Sequence, residues 1–271
     1  MNNLIRTEWL KIRKYNAFWW IMGVTALAYP GINYIFYLGY QSLTHSESQA
    51  GKFATMLLGN PFTFPEVWHT VAYCSSIFVF IPSVVIIMFI SNEFAYKTQR
   101  QNIIDGWSRN QFMSSKLIDV LITSVIITLL FVLVSFIWGA SNFPVGKTEI
   151  FGQFYYVGLF ALQTFAQLSL AFLVAYLVKK SFLSLGIFLF YFIILEPLLV
   201  FIFRNKVDDI GAFLPLEISD RIIPVPGFSR HISPEGYQRS LSEIQPHIFY
   251  TIALTALIWI ICYRVNSKRN L

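Results

Sequence analysis

The sequence predicts an all-α integral membrane protein with six transmembrane helices, and three observations carry that reading. Charged residues make up only 13% of the 271 positions and hydrophobic ones 56%, whereas a soluble domain carries about 25% charged residues. Long uncharged apolar runs recur along the chain, and a run of about 18 or more such residues is long enough to cross a bilayer. The basic residues sit at the ends of those runs. The net charge of +6 is therefore explained by positive-inside bias and lipid phosphates, and a nucleic-acid partner is excluded. Cys74 and Cys262 both fall inside apolar runs, so no disulfide framework or CxxC site is available.

Residues 1–16 set Leu4, Ile5, Trp9 and Ile12 against Arg6, Lys11, Arg13 and Lys14. That spacing gives one apolar helical face beside a basic one, the pattern of an amphipathic helix lying in the membrane interface. The first span is read as 17–40, with Phe18, Trp19 and Trp20 as one aromatic belt and Tyr34, Tyr37 and Tyr40 as the other. Ala26-Leu27-Ala28 resembles a leader cleavage site, but the run continues through Tyr40 and reads as a retained helix. Pro30-Gly31 is expected to kink it. The remaining spans are read as 69–90 (kinked near Pro82), 117–139, 154–178 (closed by Lys179-Lys180), 182–203 and 247–263, within one transmembrane domain covering 1–271. Residues 204–246 are read as a long outer loop.

Orientation follows from the short connections. One side carries Arg6, Lys11, Arg13, Lys14, Lys97, Arg100, Arg109, Lys116, Lys179, Lys180, Arg264, Lys268 and Arg269. The short loops of the other side carry only Lys52 and Lys147. The expectation is that both termini lie in the cytoplasm.

The polar stretch 91–116, SNEFAYKTQRQNIIDGWSRNQFMSSK, then projects inward as a hairpin. Gly106 suits a helix stop. Ser108 reads as the next N-cap, with Gln111 completing a capping box. Glu93 and Lys97 are four apart in the favoured order. Phe94, Ile103 and Ile104 lie between charges and suit a partner surface, while Trp107 and Phe112 suit packing on the protein's own helix ends.

The pattern Glu93…Thr98…Ser108-Arg109…Phe112…Lys116 resembles the first cytoplasmic loop of ABC-2 type transporter permeases. The basic N-terminal helix, six spans and long last outer loop are similar too. Lys97 departs from the pattern, standing where the family often has Gly. The resemblance implies a membrane subunit of an ABC exporter that pairs with a second permease copy or a relative and sits among membrane lipids. ATP and Mg would be bound by separate cytoplasmic ABC ATPase subunits; no cofactor is expected in this chain. The resemblance assigns ATPase coupling to the hairpin. Glu93, Phe94, Lys97, Arg100 and Gly106 would transmit force, and Arg109 and Phe112 would fix the hairpin. It also implies the inner, cytoplasmic membrane of a bacterial cell, and a cap over the pathway exit formed by part of 204–246. A non-catalytic scaffold or sensor docking a cytoplasmic partner is the alternative.

Other candidates are weaker. Gly146-Lys147-Thr148 lacks the earlier glycine of a phosphate loop, Ser141 standing there, and reads as loop. Glu196, followed by Pro197, is read as the one carboxylate buried in a span. It would line the transport path, partner groups freed by Pro197, or be wetted from the outer surface. Gln163 and Gln167 share a face with Thr164, Ala171 and Ala175, which suits helix packing, and with Glu196 they are candidates for the path. Asn33 has the same packing reading. The four histidines show no metal-ligand spacing. No GxSxG, HExxH or paired membrane carboxylates support catalysis, so no catalytic or metal residue is assigned. Short helices, one near Pro215–Ile222, are expected to lie on the outer membrane surface.

Overall fold

The computed structural model describes residues 2–44, 59–142, 149–206, 210–227 and 233–268, and these form helices joined by turns, with no strand among them. Gly146-Lys147-Thr148, His45 and His231 lie outside the described residues.

Helix α1 (Asn2–Lys14) turns at Tyr15 into α2 (Asn16–Thr44), which runs through Pro30 as one helix. The second span is broken. Its halves, α3 (Val67–Ser76) and α4 (Phe80–Ala95), are bent by 49°. The break at 77–79 falls one turn before Pro82, because a proline ring crowds the carbonyl four residues earlier, here that of Phe78, and offers no N–H. A short helix α5 (Thr98–Ile104) follows, then α6 (Arg109–Ser141) and α7 (Tyr155–Val178). The fifth span is α8 (Ser181–Phe190), a π turn (Tyr191–Leu195) and α9 (Glu196–Lys206). The π turn widens the helix just ahead of Pro197, whose ring would otherwise press on the Ile193 carbonyl. A 3₁₀ turn (Ile210–Phe213) and α10 (Pro215–Asp220) precede α11 (Pro234–Lys268).

Five of these units are long and apolar enough to cross a membrane, and six when the bent pair α3–α4 counts as one. The sixth helix is longer than its sequence reading of 247–263. It begins at Pro234 and continues through Pro246 to Lys268. Proline inside a membrane helix is tolerated where neighbours satisfy the freed carbonyl, so Pro246 does not end it.

The long helices alternate in direction. α1, α5 and the C-terminal turns of α11 gather at one end of the bundle, the near end. Residues 59–66, α10 and the start of α11 gather at the far end. Apolar packing fills both halves. Around Trp68, Phe131, Tyr156 and Phe160 it serves the far half. Around Ile87, Leu168, Phe172, Tyr176 and Trp259 it serves the near half. Ala171 and Ala175 are fully buried, which lets α7 pack closely against α4 and α11. The outer face of α8–α9 instead exposes Phe182, Leu183, Ile187, Phe190, Ile193, Ile194 and Phe201, as a lipid-facing helix does.

One close approach is set by a glycine. The ring of Phe64 occupies the space a side chain at Gly139 would need. Gly139→Val is expected to destabilise the protein by about 1–3 kcal/mol through overpacking. Thermal denaturation of the detergent-purified chain measures this, and Phe64→Leu in the same chain should restore part of the loss.

Candidate functional site

The near end holds a buried ion cluster. The Lys116 ammonium is fully enclosed and donates to Glu8 Oε2 at 2.9 Å, Glu93 Oε1 at 2.7 Å and Asp119 Oδ2 at 2.9 Å. Lys11 adds contacts to Glu8 at 2.9 Å and Glu93 at 3.5 Å. Three carboxylates thus meet two ammoniums, drawn from α1, α4 and α6. Burial opposes ionisation of Glu8, but Lys116 and Lys11 hold its pKa down at about 2. Lys116 also lies 5.0 Å from the Phe89 ring centroid and 5.6 Å from that of Phe112. α1 turns Glu8 and Ile12 inward and leaves Trp9, Leu10, Arg6 and Arg13 exposed, so the face toward the bundle is not the purely apolar one expected.

The hairpin is built on this cluster. After Glu93 the chain turns at Lys97, which adopts the left-handed conformation (φ 54°) that glycine takes freely. The bend persists without a glycine, at a cost of roughly 1–2 kcal/mol for the side chain. Thr98 Oγ1 donates to the Glu93 carbonyl at 3.3 Å. Gly106 takes φ +98° at the second turn. Ser108 then caps α6 with the expected reciprocal box: Ser108 Oγ accepts from Gln111 N at 3.2 Å and Gln111 Oε1 accepts from Ser108 N at 2.8 Å.

The end of α11 braces the same hairpin. Asn266 Nδ2 donates to the Arg109 carbonyl at 2.7 Å, and its Oδ1 accepts from Tyr176 Oη at 3.1 Å and Gln99 Nε2 at 3.5 Å. Arg109 donates to the Ser267 carbonyl at 2.7 Å. The assigned residues therefore divide. Glu93 and Phe112 are buried, Phe94 is half-buried against Tyr176 with ring centroids 5.6 Å apart, and Arg109 ties the hairpin to α11. Lys97, Arg100 and Gly106 are exposed. Beside them Tyr96 and Ile104 stand 77% and 78% exposed, with Lys97, Arg100 and Asp105 exposed along the same segment. Trp107 is half-buried under Lys11, 5.7 Å from its ring centroid.

Sequence reasoning missed Glu8, Asp119 and Asn266. Asp119 corrects the expectation that Glu196 is the one buried carboxylate in a span: both are buried, in different spans. The signal was there, since Lys116 and Asp119 are three apart and share a helical face.

The second polar centre lies toward the far end. Glu196 Oε1 accepts from the backbone N–H groups of Leu216 and Glu217, both at 2.7 Å, at the start of α10. Gln163 and Gln167 both donate to Asp220 Oδ1 at 2.6 Å. Thr251 Oγ1 of α11 donates to the Ile218 carbonyl at 3.2 Å. α10 therefore packs among α7, α9 and α11. Glu196 serves the N–H groups of α10; a carboxylate cannot serve the carbonyl that Pro197 frees. Protein packed around Asp220, opposed by the Gln163 amide and reinforced by Glu217 and Glu196, pushes its pKa up to about 7. Asp220 keeps an exposed face, and water there moderates the rise. His69 Nε2 donates to the Pro224 carbonyl, 2.8 Å away, and its ring stacks on that of Tyr156 with centroids 4.1 Å apart. Among the described residues no group of three His, Cys, Asp or Glu side chains is placed to hold a metal ion.

No curated protein sequence matches this chain. The family model described as "ABC-2 family transporter protein" matches residues 4–195, from α1 through the π turn. That stretch contains the whole ion cluster and the hairpin it supports. The chain belongs to the ABC-2 family of transporter proteins, the membrane-spanning subunits of ABC transporters.

Proposed function

We propose that this chain is the permease subunit of an ATP-driven exporter and that α5 with its two turns is where a separate ATPase drives it. The observation that supports this reading is the division of the hairpin. Tyr96, Lys97, Arg100 and Ile104 face outward, while Glu93, Phe94, Arg109 and Phe112 bind its base to α1, α6, α7 and α11. A short helix held this way moves with the bundle as one body. A push on its outer face would reach α4 and α6 directly and rock the packed helices between two states. The near end, with both termini, would face the cytoplasm, in the inner membrane of a bacterial cell. ATP and Mg would be bound by the ATPase. The apolar outer faces would meet lipid and a second permease, as a copy or a relative.

The test is ATP hydrolysis in proteoliposomes containing the full chain and a soluble P-loop ATPase that co-purifies with it. Hydrolysis is expected to rise when the chain is present. Arg100→Glu with Ile104→Glu should cut that stimulation at least tenfold, because both side chains are exposed and their replacement leaves the ion cluster intact. Undiminished stimulation would remove the hairpin from the coupling route. A membrane-impermeant maleimide provides the second readout. Ile104→Cys should label in inverted vesicles and not in intact cells, with Cys74 and Cys262 buried and silent.

A further inference from the structure

We propose that the cavity between α9 and α10 binds an organic ammonium group, its charge held by Glu196 and Asp220 and its apolar part by Phe192 and Phe201. The cavity is about 290 Å³ and is lined by Phe192, Glu196, Phe201, Leu216, Glu217 and Asp220, among others. Three carboxylates around one small space need an explanation. Glu217 has its own cation, Arg221 Nε at 2.8 Å. Among the described residues neither Glu196 nor Asp220 has one. Glu196 is 2% exposed, and although Oε1 accepts two backbone N–H groups, Oε2 is buried with no hydrogen-bond partner. The Tyr191 hydroxyl reaches the same carboxyl group from the π turn, and Oε2 stays without a hydrogen-bond partner. A buried carboxylate oxygen without a partner is costly, and a charged donor entering from the cavity removes that cost.

The remaining wall selects among cations. A bare metal ion needs several converging oxygens, and the described residues offer no such group. A guanidinium prefers a bidentate carboxylate, but Glu196 Oε1 is already engaged. An ammonium needs separate single contacts, one to Glu196 Oε2 and one to Asp220. Aromatic faces at Phe192 and Phe201 favour a cation that carries apolar carbon. Such a group could be a lipid headgroup amine reaching in from the exposed side of Phe201, or a free amine. The inference rests on this cavity and not on the coupling role of the hairpin.

The probe is benzylammonium, titrated at pH 8 into the full chain in phosphatidylglycerol nanodiscs, with benzyl alcohol as the uncharged control. Benzylammonium is expected to bind at least tenfold more tightly than benzyl alcohol. Glu196→Gln with Asp220→Asn should abolish that preference. Both replacements keep a carbonyl oxygen for the existing hydrogen bonds, so the fold has no reason to fail. If it does fail, the comparison of the two probes on the unaltered chain still decides. Equal binding of the two probes, or an unchanged preference in the double variant, would overturn the proposal. Once the preference is seen, half the lipid is replaced by phosphatidylethanolamine. A tenfold weaker benzylammonium affinity then identifies the headgroup as the occupant, and an unchanged affinity identifies a free amine.

Discussion

Lys116→Met should be among the most damaging single changes in the chain. It would leave Glu8, Glu93 and Asp119 facing Lys11 alone, and Lys11 is half-exposed. Removing one member of a buried charge group typically costs about 3–5 kcal/mol, because the remaining charges lose their compensation without regaining water. The expected result is a sharp drop in folded yield and in resistance to thermal denaturation in detergent. The loss should be largely reversed by adding Glu93→Gln and Asp119→Asn, which leaves Glu8 and Lys11 as a balanced pair. If Lys116 mattered only as an apolar stem on Phe89 and Phe112, Lys116→Met would be mild and the additional changes would make matters worse. The two outcomes are opposite in sign.

Trp68→Ala should rival it at the far end. Trp68 is 1% exposed, packs on Phe64 and Phe154 with ring centroids 5.7 and 5.1 Å away, and donates from Nε1 to the Ile150 carbonyl at 2.7 Å. It therefore fastens α3 to the connection between α6 and α7. Truncating a buried aromatic of this size costs about 3–5 kcal/mol, most of it lost packing around the cavity left behind. Trp68→Phe keeps most of the volume and loses chiefly the hydrogen bond, worth about 0.5–1.5 kcal/mol. Thermal denaturation of both variants should show the Ala form far below the Phe form. Equal losses would place the stabilisation in the hydrogen bond instead.

The spans were readable because each is written locally, in a continuous apolar run with basic or aromatic ends. The second hairpin turn was readable for the same reason, since Gly106 and the Ser108–Gln111 pair state their geometry within a few residues; the first, at Lys97, was not, because a lysine does not announce a left-handed backbone. The family resemblance read at Glu93, Thr98, Ser108-Arg109, Phe112 and Lys116 agrees with the family match over residues 4–195. What could not be read is what depends on distant partners. Glu8 meets Lys116 across 108 positions, and Asn266 meets Arg109 across 157. No local pattern marks either pair, so Glu8 passed as one residue of a basic helix and Asn266 as part of a basic tail. The last helix begins at Pro234, ahead of the span read as 247–263, because its first turns are polar and carry no apolar run to mark them. The anchors of α10 could not be read for the same reason: Glu196, Gln163, Gln167 and Thr251 belong to three other helices.

That arrangement of anchors implies an order of assembly. Glu196, Gln163 and Gln167 are already made when residues 210–220 are synthesised, but Thr251 is not. Until the final helix is threaded into the bilayer, the clasp has only part of its bonding set and must wait, half-fastened, at the mouth of an unfinished bundle. A span made later thus locks an earlier segment home. A nascent chain halted before residue 251 should leave residues 210–220 open to protease, and a chain extended past it should shield them.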